Sequence, residues 1–339
     1  MALYCGIDLH SSKSWIAIVG DRLEVVRVTG VENDLVRILQ VLNPYREELV
    51  GVAVESTWNW YWLVDGLMDA GYRAHLTNTW AAKQWDGLKY TDDRHDARWL
   101  AMLLKLGILP EGYIYPKEER PVRDLLRRRA FLVRKRTSFL LSMRGAFECR
   151  TGMRTKSNEI KRWTAVDVEA HIDDAAAALG ITCLLEPMRV LTAQIQTVEK
   201  EVLAHAKLRD EFALLQTVWG IGKIVALSIM YEVGDIGRFA KVGDFASYCR
   251  LVKTARLSVG KSKGSGNRRN GNPYLSWAFS EAAHHAIRHH DIAQRYFQRK
   301  RSKTNGIIAS RALAHKLARA SYHVLRDQVD FDPVKAFGG

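Results

Sequence analysis

The stretch YCGIDLHSSKSWIAIVGD, residues 4–21, holds an acidic residue, Asp8, inside an otherwise apolar run. A strand covered on both faces reads as continuous Val, Ile and Leu, and an ionised carboxylate is almost never fully buried unless it is paired or holds a metal. Asp8 therefore requires a partner. Around it, LYCGIDLH, SWIAIVGD and LEVVRVTG read as three short strands separated by Ser-Ser-Lys and by Gly20-Asp21, which suits two tight hairpins. A helix over DLVRILQVLNPYR follows, ending near Pro44, then a buried strand, LVGVAVEST, that closes on Glu55. A second helix around YWLVDGLMDAG stops at Gly71, and YRAHLTN supplies a fifth strand.

Next comes LKYTDDRHDARWLAMLLKLG, in which Asp93 and Asp96 stand three apart and so share one helix face. Spacings of four, seven and eight from Asp96 reach Leu100, Leu103 and Leu104, so the acids are expected to face the sheet rather than water. Asp8, Glu55, Asp93 and Asp96 then form an inward-facing set. Four like charges at one place raise each other's pKa at a cost of several kcal/mol. A divalent cation relieves this. Oxygen ligands favour Mg²⁺ or Mn²⁺, and such a cluster is suited to attack on a phosphodiester. Taken singly, each acid reads equally well as a helix cap or a surface residue. The order β-β-β-α-β-α-β-α carrying them resembles the RNase H fold, and the placement of the acids resembles its RuvC-type subset.

Composition sets the surroundings. The chain has 339 residues, 47% of them hydrophobic, enough for a large core and two domains with a helical connector. No run approaches the ~20 uninterrupted apolar residues of a membrane span, and no signal-peptide pattern opens the sequence, which points to the cytoplasm. Four cysteines lie far apart with no CxxC pair, against a zinc site or a disulfide framework. A formal charge of +14, from 51 Lys+Arg against 37 Asp+Glu, points to a polyanionic partner, nucleic acid before membrane.

Residues 117–150 read as a long helix starting near Pro121, with nine basic and three acidic side chains between Lys117 and Arg136. The planar fork of arginine matches phosphate oxygens, so Arg127, Arg128, Arg134 and Lys135 are candidate backbone contacts. Residues 183–207 have the spacing of a coiled-coil arm, for oligomerisation or for packing against the same chain. Gly220-Ile-Gly222 between two apolar helical patterns resembles a helix-hairpin-helix turn, in which the backbone at Gly220 and Gly222 and the following Lys223 approach a phosphate. From Arg250 to Arg269 there are seven Lys/Arg and no acid, a cationic loop ahead of a helix near Pro273. The pairs His284-His285 and His289-His290 follow on that helix without an accompanying cysteine.

GIDLHSS, VAVEST and YTDDRHDARWLA, followed by WGIGKIVALSIMYEVGD and RLSVGKSKGSGNRRNGNPYLSWAFSEAA, resemble the DEDD transposases of the insertion-sequence family numbered one hundred and ten. The subgroup named after element eleven hundred and eleven is the nearest match. The resemblance runs from about residue 3 to 325 and implies an RNase H-like, RuvC-type α/β domain (1–155), a helical coiled-coil connector (156–209), a mainly α transposase domain with a helix-hairpin-helix-like motif (210–327), and a tail (328–339). It implies a Mg²⁺-bound tetrad of Asp8, Glu55, Asp93 and Asp96, with Ser258 as nucleophile. Val259 and the lead-in Arg250-Leu-Val-Lys253 depart from the family's pattern, so Ser262 and Ser265 remain alternatives; Asp92 beside Asp93 leaves a second choice of ligand. Lys261, Lys263, Arg268 and Arg269 are placed to stabilise the transition state. Implied partners are donor and target double-stranded DNA, a structured noncoding bridge RNA, and further copies of the chain, dimers assembling to tetramers. A water-using RuvC-type junction nuclease and a noncatalytic nucleic-acid-binding regulator are the competing readings.

Overall fold

A computed structural model describes residues 1–82, 92–206, 209–252, 257–258, 261–262 and 270–338. The chain packs as two units, Met1–Lys117 and Glu118–Gly339.

In the first unit, β1 (Leu3–Leu9), β2 (Lys13–Val19) and β3 (Val25–Glu32) run antiparallel, while β4 (Leu49–Glu55) and β5 (Ala74–Thr77) run parallel to β1. The sheet order is β3-β2-β1-β4-β5, which leaves β1 and β4 as central neighbours. Its helices are α1 (Leu35–Leu42), α2 (Tyr61–Asp69), α3 (Thr79–Ala82) and α4 (Asp93–Lys105). Alternation along the strands splits the core. Leu3, Cys5, Ile7 and Leu9 of β1 join Val52 and Val54 of β4, Ile38 and Leu42 of α1, and Leu63 and Leu67 of α2. Ala53, on the opposite face, packs with Leu100 and Leu103 of α4. Both faces are thus covered at the sheet centre, which is why β1 and β4 read as near-continuous apolar runs.

The second unit opens with α5 (Arg120–Thr151), ended by Gly152 at φ 69°, a left-handed cap that glycine adopts without strain. Helix α5 packs antiparallel to α9 (Leu185–Ala206): Leu140, Met143 and Phe147 meet Leu185 and Met188, and at the other end Val122 and Leu126 share a core with Val202. Part of the 183–207 pattern is thus used in packing against α5, while Val190 stays exposed. Helix α5 packs within the second unit. Three short helices, α6 (Ser157–Ile160), α7 (Ala165–Glu169) and α8 (Ala175–Thr182), lie between α5 and α9 in sequence. Residues 175–205 are apolar and long enough to pass for a membrane span by composition. That stretch is interrupted between α8 and α9, and its Ala178, Ile181, Leu185 and Met188 are buried beside α5.

The remainder is α10 (Asp210–Thr217), α11 (Lys223–Val233), α12 (Val242–Tyr248), a hairpin of β6 (Leu257–Ser258) and β7 (Lys261–Ser262), α13 (Pro273–His289), α14 (Asp291–Arg301), α15 (Gly306–Asp327) and α16 (Pro333–Phe337). Phe245, Phe279, Leu313, Leu317 and Tyr322 lie at the centre of its core. Residues 328–339, set apart as a tail on sequence, include docked side chains: Phe331 and Phe337 pack on Trp219 with ring centroids at 5.3 and 5.4 Å.

Candidate active site

Register places the acids. Gly6 pairs with Ala53 and Ile7 with Val54 across the parallel β1–β4 ladder, so Asp8 and Glu55 stand side by side at the strands' carboxyl ends. Both project to the face covered by α4, on the alternation that carries Gly6 and Ala53. Helix α4 lies along β1: Lys105 sits over Tyr4 at 5.4 Å, the Ala97–Ala101 turn lies against Gly6, and Asp93 comes to the end that holds Asp8. A Cβ on Gly6 would stand 2.1 Å from Ala97 O and 2.6 Å from Ala101 N, so only glycine permits this approach.

The start of α4 is set by Asp92, whose Oδ1 accepts a hydrogen bond from His95 N at 2.8 Å. Asp92 is thus the cap, and Asp93, one residue on, is the acid at the cluster. Asp93 and Asp96 occupy the first helical turn, where the helix N-terminus favours negative charge.

Asp8, His10 and Asp93 offer ligand atoms that all lie within 4.8 Å of one another, the one such group of three or more among the described residues. His10 Nε2 is 2.9 Å from Asp8 Oδ2 and 3.3 Å from Asp93 Oδ1. His10 was missed as a site residue on sequence, although it sits two positions from Asp8 and so on the same side of the strand end. Its backbone carbonyl accepts hydrogen bonds from Asn33 Nδ2 at 2.8 Å and Asn59 Nδ2 at 3.1 Å, which hold the β1–β2 turn in place.

Asp8 is the buried member, its side chain 3% exposed, whereas His10 and Asp93 are 48% and 54% exposed. Burial pushes the Asp8 carboxyl above its ordinary range; the charges of Asp96 and Asp93 push it further, and a hydrogen bond with Glu55 opposes them. Asp96 is exposed and Glu55 half-buried. The expectation that all four acids point inward is therefore corrected. The carboxylates of α4 rim the site because they stand in the helix's first turn, ahead of its buried stripe, which begins at Ala97.

This donor set fits a divalent cation. Asp8 Oδ2 is buried with no hydrogen-bond donor, its contact with His10 lying outside hydrogen-bonding geometry, so a lone pair is left for a ligand. Carboxylate oxygens suit a hard divalent cation, and the imidazole of His10 offers one nitrogen ligand beside them.

The other expected residues belong to the second unit. Ser258 lies at the β6 end of the two-residue hairpin, its backbone paired with Lys261, which is exposed. Ser262 pairs with Leu257. Ser265, Lys263, Arg268 and Arg269 lie outside the described residues. The residues flanking this segment are tied to each other: Arg250 Nε donates to the carbonyls of Asn270 and Gly271 at 3.1 and 3.0 Å, and Asn272 N donates to Tyr248 O at 2.6 Å.

On α5, Arg128, Arg134 and Lys135 are exposed, but Arg127 is not a free phosphate ligand. Its Nε and Nη2 grip both oxygens of buried Glu232 at 2.6 and 2.7 Å, and Glu232 also accepts from Asn272 Nδ2 at 2.7 Å. Arg127 thus compensates a buried charge. The Gly220-Ile-Gly222 turn joins α10 to α11. Gly220, at φ 79°, backs directly onto α13, where a Cβ would meet Ala282 O at 2.0 Å, while Gly222 caps α11 and, with Lys223, is exposed. The turn lines a cavity of about 480 Å³ shared with His285, His289 and His290. His290 stacks on Trp219 at 4.7 Å.

A mixed sheet of this order, with acids at the carboxyl ends of its central strands and a helical region after it, is compatible with an RNase H-like domain of the DEDD type. Residues 5–148 match the family model of the IS110 DEDD type, described as Transposase, and residues 212–298 match the one described as Transposase IS116/IS110/IS902 family. A probable family 20 transposase of Pseudomonas aeruginosa is 23% identical over 83% of this chain and 86% of its own length. The transposase for insertion sequence element IS1111A of Coxiella burnetii is 27% identical over 58% of this chain and 55% of its own, so the match spans just over half of that relative. The chain belongs to the IS110-family DEDD transposases.

Proposed function

We propose that this transposase excises and inserts its element by cutting and rejoining DNA through a covalent phosphoserine intermediate. The single observation that carries the reading is the cluster of Asp8, His10 and Asp93, with Glu55 at the neighbouring strand end, on the central strands of an IS110-family chain. Asp8, Glu55, Asp93 and Asp96 hold a divalent cation, Mg²⁺ or Mn²⁺. When bound, it supplies Lewis-acid activation of a phosphodiester and of the attacking hydroxyl.

Ser258 is the nucleophile. Its oxygen forms a bond to phosphorus as one strand oxygen leaves with a proton; one phosphoester replaces another, so rejoining needs no external energy source. Lys261, with Lys263, Arg268 and Arg269 of the same loop, stabilises charge on the phosphoryl oxygens. His10 offers a further ligand nitrogen at the same cluster. Arg128, Arg134, Lys135, Gly222 and Lys223 contact backbone phosphates of the DNA and of a bridge RNA that pairs with donor and target. The active form is a tetramer built from dimers. A net charge of +14 is consistent with two nucleic-acid partners.

The test uses protein, element-end DNA and RNA transcribed from the adjoining noncoding segment. A denaturing gel is expected to show a protein–DNA adduct mapped by mass spectrometry to Ser258, lost in Ser258→Ala. Cleavage that survives in Ser258→Ala and leaves only free ends would overturn the serine mechanism in favour of water. An adduct on Ser262 or Ser265 would move the nucleophile.

A further inference from the structure

Trp58 is 87% exposed, the most exposed large apolar side chain among the described residues. It stands three positions beyond Glu55, within about 10 Å of it by chain reach. Its turn is well fixed. Thr57 N donates to Glu55 O at 2.9 Å, the Thr57 hydroxyl donates to Asn59 Oδ1 at 2.8 Å, and Asn59 Nδ2 donates to His10 O at 3.1 Å. On its far side Trp60 is packed on the sheet core and lies edge-on to Tyr61 at 4.6 Å. The indole is thus presented on a braced tip, tied by hydrogen bonds to the acid-bearing strand end on one side and to His10 on the other.

The second tryptophan near the acids behaves differently. Trp15, directly across the ladder from Asp8, has its ring faced by the Arg94 guanidinium at 4.6 Å and the Lys13 ammonium at 5.0 Å. Trp58 has no ring or cation against it among the described residues. Its immediate chain neighbours Ser56, Thr57 and Asn59 are polar, unlike the apolar centre of a protein–protein patch. A single open π-face beside a site for phosphodiesters matches a nucleobase, since aromatic–base stacking tolerates any sequence.

We infer that Trp58 stacks on an unpaired nucleobase of the DNA strand whose phosphate lies at the acid cluster, holding open the duplex next to the cut. This rests on the reading of that cluster as a site for DNA phosphodiesters. A base is available for stacking only where the duplex is opened, so the residue selects distorted over continuous DNA.

The test compares wild type, Trp58→Ala and Trp58→Phe on a fluorescein-labelled forked duplex and a continuous duplex of the same length, with Ca²⁺ replacing Mg²⁺. Trp58→Ala is expected to lose about 5- to 150-fold in affinity for the fork, with continuous-duplex affinity within about twofold and Trp58→Phe recovering most of the loss. A 2-aminopurine at the fork is expected to be quenched by wild type and not by Trp58→Ala. Because the side chain is exposed, melting temperature stays unchanged. Equal fork affinities with unchanged quenching would overturn the inference while leaving the metal-site reading intact. A change of oligomeric mass without a change in fork affinity would assign Trp58 to a protein interface and overturn it as well. If wild type binds neither DNA, the parent reading fails and this one with it.

Discussion

Replacing Gly6 with alanine puts a methyl carbon 2.1 Å from Ala97 O, 2.6 Å from Ala101 N and 2.9 Å from Leu100 Cβ, whereas real Cβ contacts essentially never fall under 3.0 Å. Two of these atoms are helix backbone, so no side-chain rotation relieves the clash; α4 must retreat from β1 by roughly an ångström. The first turn of that helix carries Asp93 and Asp96, so the same retreat pulls both carboxylates away from Asp8. Overpacking of this kind costs about 1–3 kcal/mol, and an ångström of misplacement at reacting groups costs on the order of 100-fold in rate. Gly66→Ala is a milder control: its Cβ would meet Leu35 Cδ2 at 2.4 Å, a side-chain tip that can move aside, in the core on the sheet face away from Asp8. Both variants are assayed by thermal unfolding, by Mn²⁺ titration and by DNA cleavage. Gly6→Ala is expected to lose metal affinity and cleavage out of proportion to its loss of stability, and Gly66→Ala to lose stability alone. Wild-type metal affinity in Gly6→Ala would refute the claim that this close approach sets the site.

Two further perturbations follow from buried charge. Asp8 has a raised pKa from burial and from the charges of Asp96 and Asp93, so its proton stabilises the fold below the ordinary carboxylate range, and that contribution is lost as pH rises through the raised value. In EDTA, Asp8→Asn is therefore expected to melt above wild type at pH 7.5 and to converge with it towards pH 4; a melting difference that does not depend on pH would contradict this. Arg127→Met leaves Glu232, 3% exposed, without its bidentate partner and is expected to cost about 3–5 kcal/mol in urea unfolding, against much less for Arg127→Met with Glu232→Leu. Equal losses in the single and double variants would show that the pair is not the reason Arg127 is held there.

The succession of strands and the element ends that carry the four acids were legible because each rests on local pattern. Asp8 broke an apolar run, Glu55 ended one, and Asp93 with Asp96 opened an amphipathic helix. What pattern could not convey was orientation at a helix end. Helical spacing linked Asp96 to Leu100 and Leu103 and so predicted burial, yet a first-turn residue stands beyond the edge of what the helix covers, and both acids are exposed. His10 went unread because a lone histidine in a turn has no periodic signature; two asparagine side chains from distant segments hold it. Arg127 was misjudged for a related reason. Its partner Glu232 lies 105 positions away on α11, inside an apolar helical run whose lone acid gave no hint of a mate. The tail had too little length to predict docking, but Phe331 and Phe337 find Trp219 in three dimensions.

Mn²⁺ titration of the purified protein by electron paramagnetic resonance tests the central claim most directly. Wild type is expected to bind Mn²⁺ saturably, with Mg²⁺ competing and affinity falling as pH drops through the range where Asp8 takes up its proton, while Asp8→Asn removes the bound signal. An unchanged Mn²⁺ isotherm in Asp8→Asn would mean that the cation sits elsewhere, and the account of the acid cluster would be wrong.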